Sequence, residues 1–410
     1  MKRLTVAISC GYAAVALLAS FALGAPAELD PIFSDDGKLR TNFTPGFDQA
    51  LAVAIQPDGK IVAAGRAESS GGVFAVARYT VDGTLDPTFS ADGKTTANFR
   101  PGDDFAAAVV VLPDGDLVVA GRTAGRNHKF ALVRYDADGT PDTAFSGDGR
   151  LVTDFTTGDD HAWDVAVQAD GKIVAGGIAA SGSDGQFAIA RYNADGTLDP
   201  TFDGDGRVTT NLTARFDAIT ALAIQPDGKI VAAGAANDDR VFALARYNSD
   251  GTLDNTFDGD GKSVTNFTPG HDFAWDVALQ PDGKIATSGR AAARFGLARY
   301  TADGTLDSTF GGDGRVTTNF TADLDISTGI GLQADGKIVA VGGANNLKFA
   351  IARYNDDGSL DLSFGGDGKV TTNLTRGRDY AWDFSLQADG KIVAAGAAGA
   401  RFGVVRYLGG

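Results

Sequence analysis

Beyond residue 27 the chain alternates short apolar runs, each of about six residues, with clusters of Gly, Asp, Asn and Pro. In one stretch the runs are Arg150 to Phe155, Ala162 to Gln168, Lys172 to Gly177 and Phe187 to Tyr192. Runs of this length between turn signals predict strands, and groups of four predict an all-β array. The second and third runs are joined by Ala169-Asp170-Gly171, and elsewhere by Pro-Asp-Gly. This is tight-hairpin chemistry, in which Gly takes the left-handed conformation and fixes the register.

The group of four recurs along the whole chain. The hairpin Asp returns seven times, at Asp58, Asp114, Asp170, Asp227, Asp282, Asp335 and Asp389, with spacings of 56, 56, 57, 55, 53 and 54. An Arg-Tyr pair follows each, from Tyr79 to Tyr407. Seven groups of four strands predict a seven-bladed β-propeller of antiparallel blades, formed by residues 28–410 as one domain. The chain stops just after the seventh Arg-Tyr, without the Thr-rich run that follows the other six. That run stands instead at the front, from Lys38 to Phe43, so the N-terminal strand is expected to complete the seventh sheet and close the ring. Runs such as Val208-Thr209-Thr210-Asn211 suit an exposed outer strand, and Ile230-Val231-Ala232-Ala233 suits the crowded interior.

Only one segment of the repeat changes length. From the Gly of the third run to the Phe of the fourth the distance is 9, 9, 10, 8, 6, 7 and 6 residues, while every other landmark spacing is constant. With the second run innermost, this variable loop emerges on the same rim as the entrance to the inner strand. The fixed linkers emerge on the opposite rim. Length variation on a constant scaffold marks where specificity sits, so a ligand is expected on the variable rim.

Composition adds a compartment and removes partners. Lys2 and Arg3 precede an apolar run from Val6 to Leu23, and Ala25-Pro26-Ala27 has the small residues of a cleavage site, so residues 1–27 read as a signal peptide. An uncleaved anchor is the alternative. The only Cys, Cys10, and the only Met, Met1, lie in this leader, so the mature chain has no thiol or disulfide chemistry. The expected location is secreted, periplasmic or cell-surface, with no membrane span after cleavage, and a monomer is the expected state. A net charge of −16 argues against nucleic acid as a partner. Much of the 55 Gly sits in the Asp-Gly turns of the repeat.

Units such as Leu279-Gln280-Pro281-Asp282-Gly283-Lys284-Ile285, followed by Phe295 to Asp307 and by Phe310-Gly311-Gly312-Asp313-Gly314, resemble the delta-60 repeat family of bacterial secreted and surface proteins. The resemblance spans about residues 28 to 410 and implies a propeller with no established activity. Asp116, where other units have Lys, and Pro141, where they have Leu, depart from it.

Three features carry candidate chemistry. The acidic linkers, Asn193, Asp195 and Asp199, Asn248, Asp250 and Asp254, and Asp357 and Asp361, place oxygen ligands at alternate positions around a Gly turn, as Ca²⁺ loops do. Arg holds the first ligand position in every unit, and a turn followed by a short capped helical turn is the competing account. Next, the Arg of each fourth run, such as Arg246, is expected to pair with a linker or turn Asp. Finally, Trp163-Asp164, Trp275-Asp276 and Trp382-Asp383 stand at the start of the inner run in the third, fifth and seventh units, with His161 and Tyr380 close by. These eight residues are the candidate ligand site, since Trp beside a carboxylate suits a sugar or a cationic group; filling space between blades is the competing account.

Catalytic signatures are few. The chain contains no Gly-x-Ser-x-Gly elbow and no His-Glu-x-x-His, and its only histidines are His128, His161 and His271. The expectation is a non-enzymatic binding scaffold for a protein or glycan, without a cofactor. The alternatives are a Ca²⁺-stabilised adhesion-type propeller and a carbohydrate-active hydrolase or lyase using channel carboxylates, which requires a buried carboxylate pair with raised pKa.

Overall fold

The seven hairpin glycines, from Gly59 to Gly390, all take φ between 82° and 92°, as a turn with a left-handed residue demands. Each closes a hairpin between an inner strand and its neighbour. The computed structural model describes residues 27–68, 71–181, 184–345 and 347–409. They form seven antiparallel four-stranded sheets, and no helix occurs among the described residues. Blade 1 comprises the strands Asp48–Ile55, Ile61–Glu68, Gly72–Tyr79 and Lys94–Ala97, in that spatial order. The first strand of each blade packs against its counterparts around a central channel, and the fourth, short and Thr-rich, lies outermost. Every residue of Ile230–Ala236 is buried, whereas Thr209 in the outer strand Arg207–Thr210 is exposed.

The ring closes through the N-terminal strand. Lys38–Thr41 pairs antiparallel with Phe402–Tyr407, aligning Leu39 with Val404, and completes blade 7. Leu29 bridges to Tyr407, and Asp30 Oδ2 lies 2.9 Å from Arg406 Nε. The leader expected over residues 1–27 lies outside the described residues except for Ala27, whose N–H donates to Leu408 O at 3.0 Å.

The Arg-Tyr pair of each blade is a tie. The seven Arg Nε atoms, from Arg78 to Arg406, lie 2.7–3.0 Å from a linker Asp Oδ2. Six of these guanidinium groups also stack on a linker Phe at 4.6–4.8 Å, as Arg246 does on Phe257. Arg246 further donates to Ala302 O at 2.5 Å, so each pair reaches the next linker. In four blades the Tyr, pointing the other way, donates to the Thr ending the previous blade's outer strand, as from Tyr79 to Thr41 at 2.7 Å.

A second sevenfold carboxylate was not singled out in the sequence. Asp48, Asp104, Asp160, Asp217, Asp272, Asp325 and Asp379 are each 0% exposed at the entrance to an inner strand. Asp48 accepts from the N–H groups of Phe43 and Thr44 and from the Thr44 hydroxyl, at 2.8–3.0 Å. Buried acceptors satisfied this way fold the entry loop against the strand. Each stands ten residues before a hairpin Asp, a spacing that was open to reading in the sequence.

Candidate functional site

An inner strand is a sheet edge, so half of its N–H groups point into the channel without a strand partner. Every inner strand also carries a bulge near its entrance, between Ala162 and Asp164 in blade 3 and at equivalent places in the other six. A bulge leaves one residue outside the pairing and re-aims its side chain. The residues so released are Leu51, Ala107, Trp163, Thr220, Trp275, Thr328 and Trp382, and all seven line one cavity of about 370 Å³ at the channel mouth.

Because Trp occupies alternate blades with Thr220 and Thr328 between, the three rings meet. Trp163 and Trp275 lie 6.4 Å apart and Trp275 and Trp382 6.2 Å apart, both edge to face. The indole Nε1–H groups of Trp275 and Trp382 are buried with no partner among the described residues. The cavity is also lined by Leu51, Ala107, Ala108, Val109 and Phe105 and by Arg66 and Arg122.

The Asp after each Trp caps the exposed strand edges. Asp164 Oδ1 accepts from the N–H of Val165 at 2.7 Å and Oδ2 from that of Leu222, in the next blade, at 2.6 Å. Asp276 serves Val277 and Ile330, and Asp383 serves Phe384 and Val53, all at 2.7 Å. Three carboxylates thereby satisfy the equivalent amide in six blades and tie blades 3 to 4, 5 to 6 and 7 to 1. Among the described residues blade 2 alone has no such acceptor, because Ala52 and Ala108 occupy the positions from which a carboxylate would reach the Val109 amide. Val109 and both alanines line the cavity.

Enclosure in the channel raises the pKa of all three carboxylates, to about 7 for Asp164, about 6 for Asp276 and about 8 for Asp383. Loss of hydration is the largest cause, and mutual repulsion adds to it for Asp164 and Asp383. The amide hydrogen bonds oppose the rise.

The mouth is polar over blades 1 to 3. Arg66 Nε lies 2.6 Å from Asp103 Oδ1, and Arg122 Nη2 is 3.5 Å from Asp103 Oδ2. His161 stands 6.0 Å from Trp163 and 4.9 Å, edge to face, from His128. Burial and the Arg122 charge lower its pKa to about 4. Tyr380 is buried 4.6 Å from Trp382 and lies over Gly343, where any Cβ would meet its ring. Neither His161 nor Tyr380 lines the cavity.

A family model described as "Domain of unknown function (DUF5122) beta-propeller" matches residues 56–89, 112–145, 168–202, 225–257, 280–310, 333–364 and 387–409. The chain belongs to this family. Its seven matched segments each contain a hairpin turn and an Arg-Tyr tie. No relative of curated function matches the sequence. The fold is similar to that of virginiamycin B lyase from Staphylococcus aureus, with TM-score 0.55, 10% identity, and 90% of this chain and 99% of that chain covered. It is similar to the periplasmic gluconolactonase of Pseudomonas aeruginosa, with TM-score 0.52, 14% identity and coverage of 85% and 95%. It is also similar to a puromycin hydrolase, with TM-score 0.53, 14% identity and coverage of 92% and 53%.

Within this DUF5122 propeller the acidic linker residues have local partners. Asp195 Oδ1 accepts from the N–H and hydroxyl of Thr197, at 2.9 and 2.6 Å, and Asn193 donates to the same hydroxyl at 3.0 Å. Asp250 and Asp357 repeat the first arrangement with Thr252 and Ser359, and Asn248 donates to Thr252. Asp199, Asp254 and Asp361 hold Arg191, Arg246 and Arg353. Among the described residues, two groups bring three ligating side chains together: Asp116, Asp136 and Asp142, crowded around Arg134 in the unit that departs from the repeat, and His128, Asp159 and His161.

Proposed function

We propose that the propeller is a binding module that takes a small, oxygen-rich ligand with an apolar ring face, such as a monosaccharide, in the channel mouth on the variable rim. The observation that carries this reading is the coincidence of the cavity with the uncapped Val109 amide. The rings of Trp163, Trp275 and Trp382 belong to the same cavity lining. An acceptor-bearing ligand that displaces water from the mouth would give this amide a partner. Trp163 and Phe105, 5.7 Å apart, offer aromatic faces, and the cavity volume lies in the usual range for small ligands. Secretion to the periplasm or cell surface fits such a role and is part of the proposal.

A second reading, catalysis, is favoured by the raised pKa values of Asp164, Asp276 and Asp383 and by fold-level likeness to a lyase, a lactonase and a hydrolase. The engagement of both oxygens of each carboxylate by backbone amides favours binding over catalysis. One experiment separates the two. Tryptophan fluorescence titrated with a panel of monosaccharides and sugar lactones is expected to respond in the wild type. Ala108→Asp, which places a carboxylate on the Val109 amide as Asp164 does on Val165, is expected to abolish the response while raising the melting temperature. Absence of any response in the wild type overturns the binding reading. Turnover of a panel compound by NMR, lost in Asp383→Asn, replaces it with catalysis.

A further inference from the structure

Two of the chain's three histidines lie far apart in sequence and meet at the junction of blades 2 and 3. His128 sits in the variable loop between the strands Leu117–Arg122 and Phe130–Tyr135, and Asp159 and His161 flank the entrance to the inner strand of blade 3, Asp160–Val167. The loop is docked firmly. Asp160 N–H donates to His128 O at 2.9 Å, and His128 N–H to Asp159 Oδ1 at 3.0 Å. His128 Nδ1 lies 2.8 Å from the same carboxylate oxygen. One ligand atom from each of His128, Asp159 and His161 falls within 4.8 Å of the others; the two histidines are half-buried and Asp159 is exposed.

We propose that His128, Asp159 and His161 bind a divalent transition-metal ion, Zn²⁺ in the first instance. Two imidazoles and one carboxylate are a donor set that suits Zn²⁺ and related ions, and three protein ligands leave a coordination position open for water or a ligand atom. Bonds of about 2.0–2.2 Å require the donor atoms to close to roughly 3.3 Å. Rotation of the side chains supplies that movement without moving the backbone. His161 is adjacent to Trp163, so the ion would sit beside the cavity mouth and be reachable from the variable rim.

One neighbour opposes the ion. Arg122 Nη1 lies 3.4 Å from His161 Nε2, and Arg122 is turned partly toward Asp103 at 3.5 Å. Completing that ion pair would clear the imidazole; the guanidinium charge left nearby would still weaken binding. This neighbour provides a test specific to the site. Full-length mature protein, free of any histidine tag and stripped with chelator, is titrated with ZnCl₂ by calorimetry and with Co²⁺ by visible absorption.

The expected result is one ion per chain, a rise in melting temperature with Zn²⁺, and a tetrahedral Co²⁺ band. His161→Gln and His128→Ala should each weaken binding at least tenfold, with unchanged circular dichroism. Arg122→Gln should tighten it severalfold, which a surface-adsorbed ion would not do. Substoichiometric or absent binding in the wild type overturns the proposal. So does wild-type affinity in His161→Gln.

Discussion

At the residue scale, stability rests on side chains that recur sevenfold and are almost fully buried. Arg246 is the model case, holding Asp254 at 2.7 Å, Thr256 at 3.1 Å and the face of Phe257 at 4.8 Å. Removing one partner of a buried pair leaves the other charge desolvated. Arg246→Met is therefore expected to cost about 3 kcal/mol, read as a lowered urea midpoint; Lys229, 3.1 Å from Asp254, keeps the loss from being larger. An unchanged midpoint would show the tie to be dispensable. The Arg–Asp tie was legible because Arg and Asp recur at fixed spacing in every unit. The same spacing, with Arg at the first ligand position, competed with the Ca²⁺ reading, and the turn partners of Asp195 and Asp250 account for those residues locally. His128 and His161 carried no such signal, since only the stacking of neighbouring blades brings them together.

At the element scale, the inner strand explains the Trp-Asp pairs. Their presence in blades 3, 5 and 7 was plain in the sequence, as was the variable rim they face. Their action was not legible, because it depends on a bulge that no periodicity announces and on an amide contributed by another blade. A titration follows from that contact. Asp164 and Asp383 have folded pKa values of about 7 and 8, above the usual 3.8. Between about pH 4 and those values the folded state binds more protons than the unfolded chain, so stability falls as pH rises. His161, near 4 when folded and about 6.5 when unfolded, adds a small rise of opposite sign that is complete by about pH 7.5. From pH 6.5 to 8.5 the wild type should lose on the order of 1 kcal/mol or more. Asp383→Ala should flatten the slope, measured by thermal melts across that window; a slope unchanged by the substitution would count against this account of the channel carboxylates.

At the scale of the whole molecule, the ring is held shut by hydrogen bonds and packing between its two ends. Leu39, 8% exposed, joins the core shared by blades 7 and 1. Leu39→Asp places an unpaired charge there and should cost several kcal/mol. Hydrogen exchange should then report faster opening first at Phe402–Tyr407, the strand it pairs with. Uniform acceleration over all seven blades would mean that the closure is no weaker than the other seams. This closure was predicted from the missing run at the end of the chain, because a repeat's arithmetic exposes a displaced strand.

The blade count itself has a chemical effect. Each channel carboxylate serves its own blade and the next, so blades are satisfied in pairs, and an odd ring must leave one over. In this chain the remainder is blade 2, where the cavity opens. Only a carboxylate at Ala52 or Ala108 would fill that vacancy, and both positions line the cavity. An odd ring of such pairs always leaves one inner-strand amide without a carboxylate, and the placement of Asp around the ring sets which blade presents it.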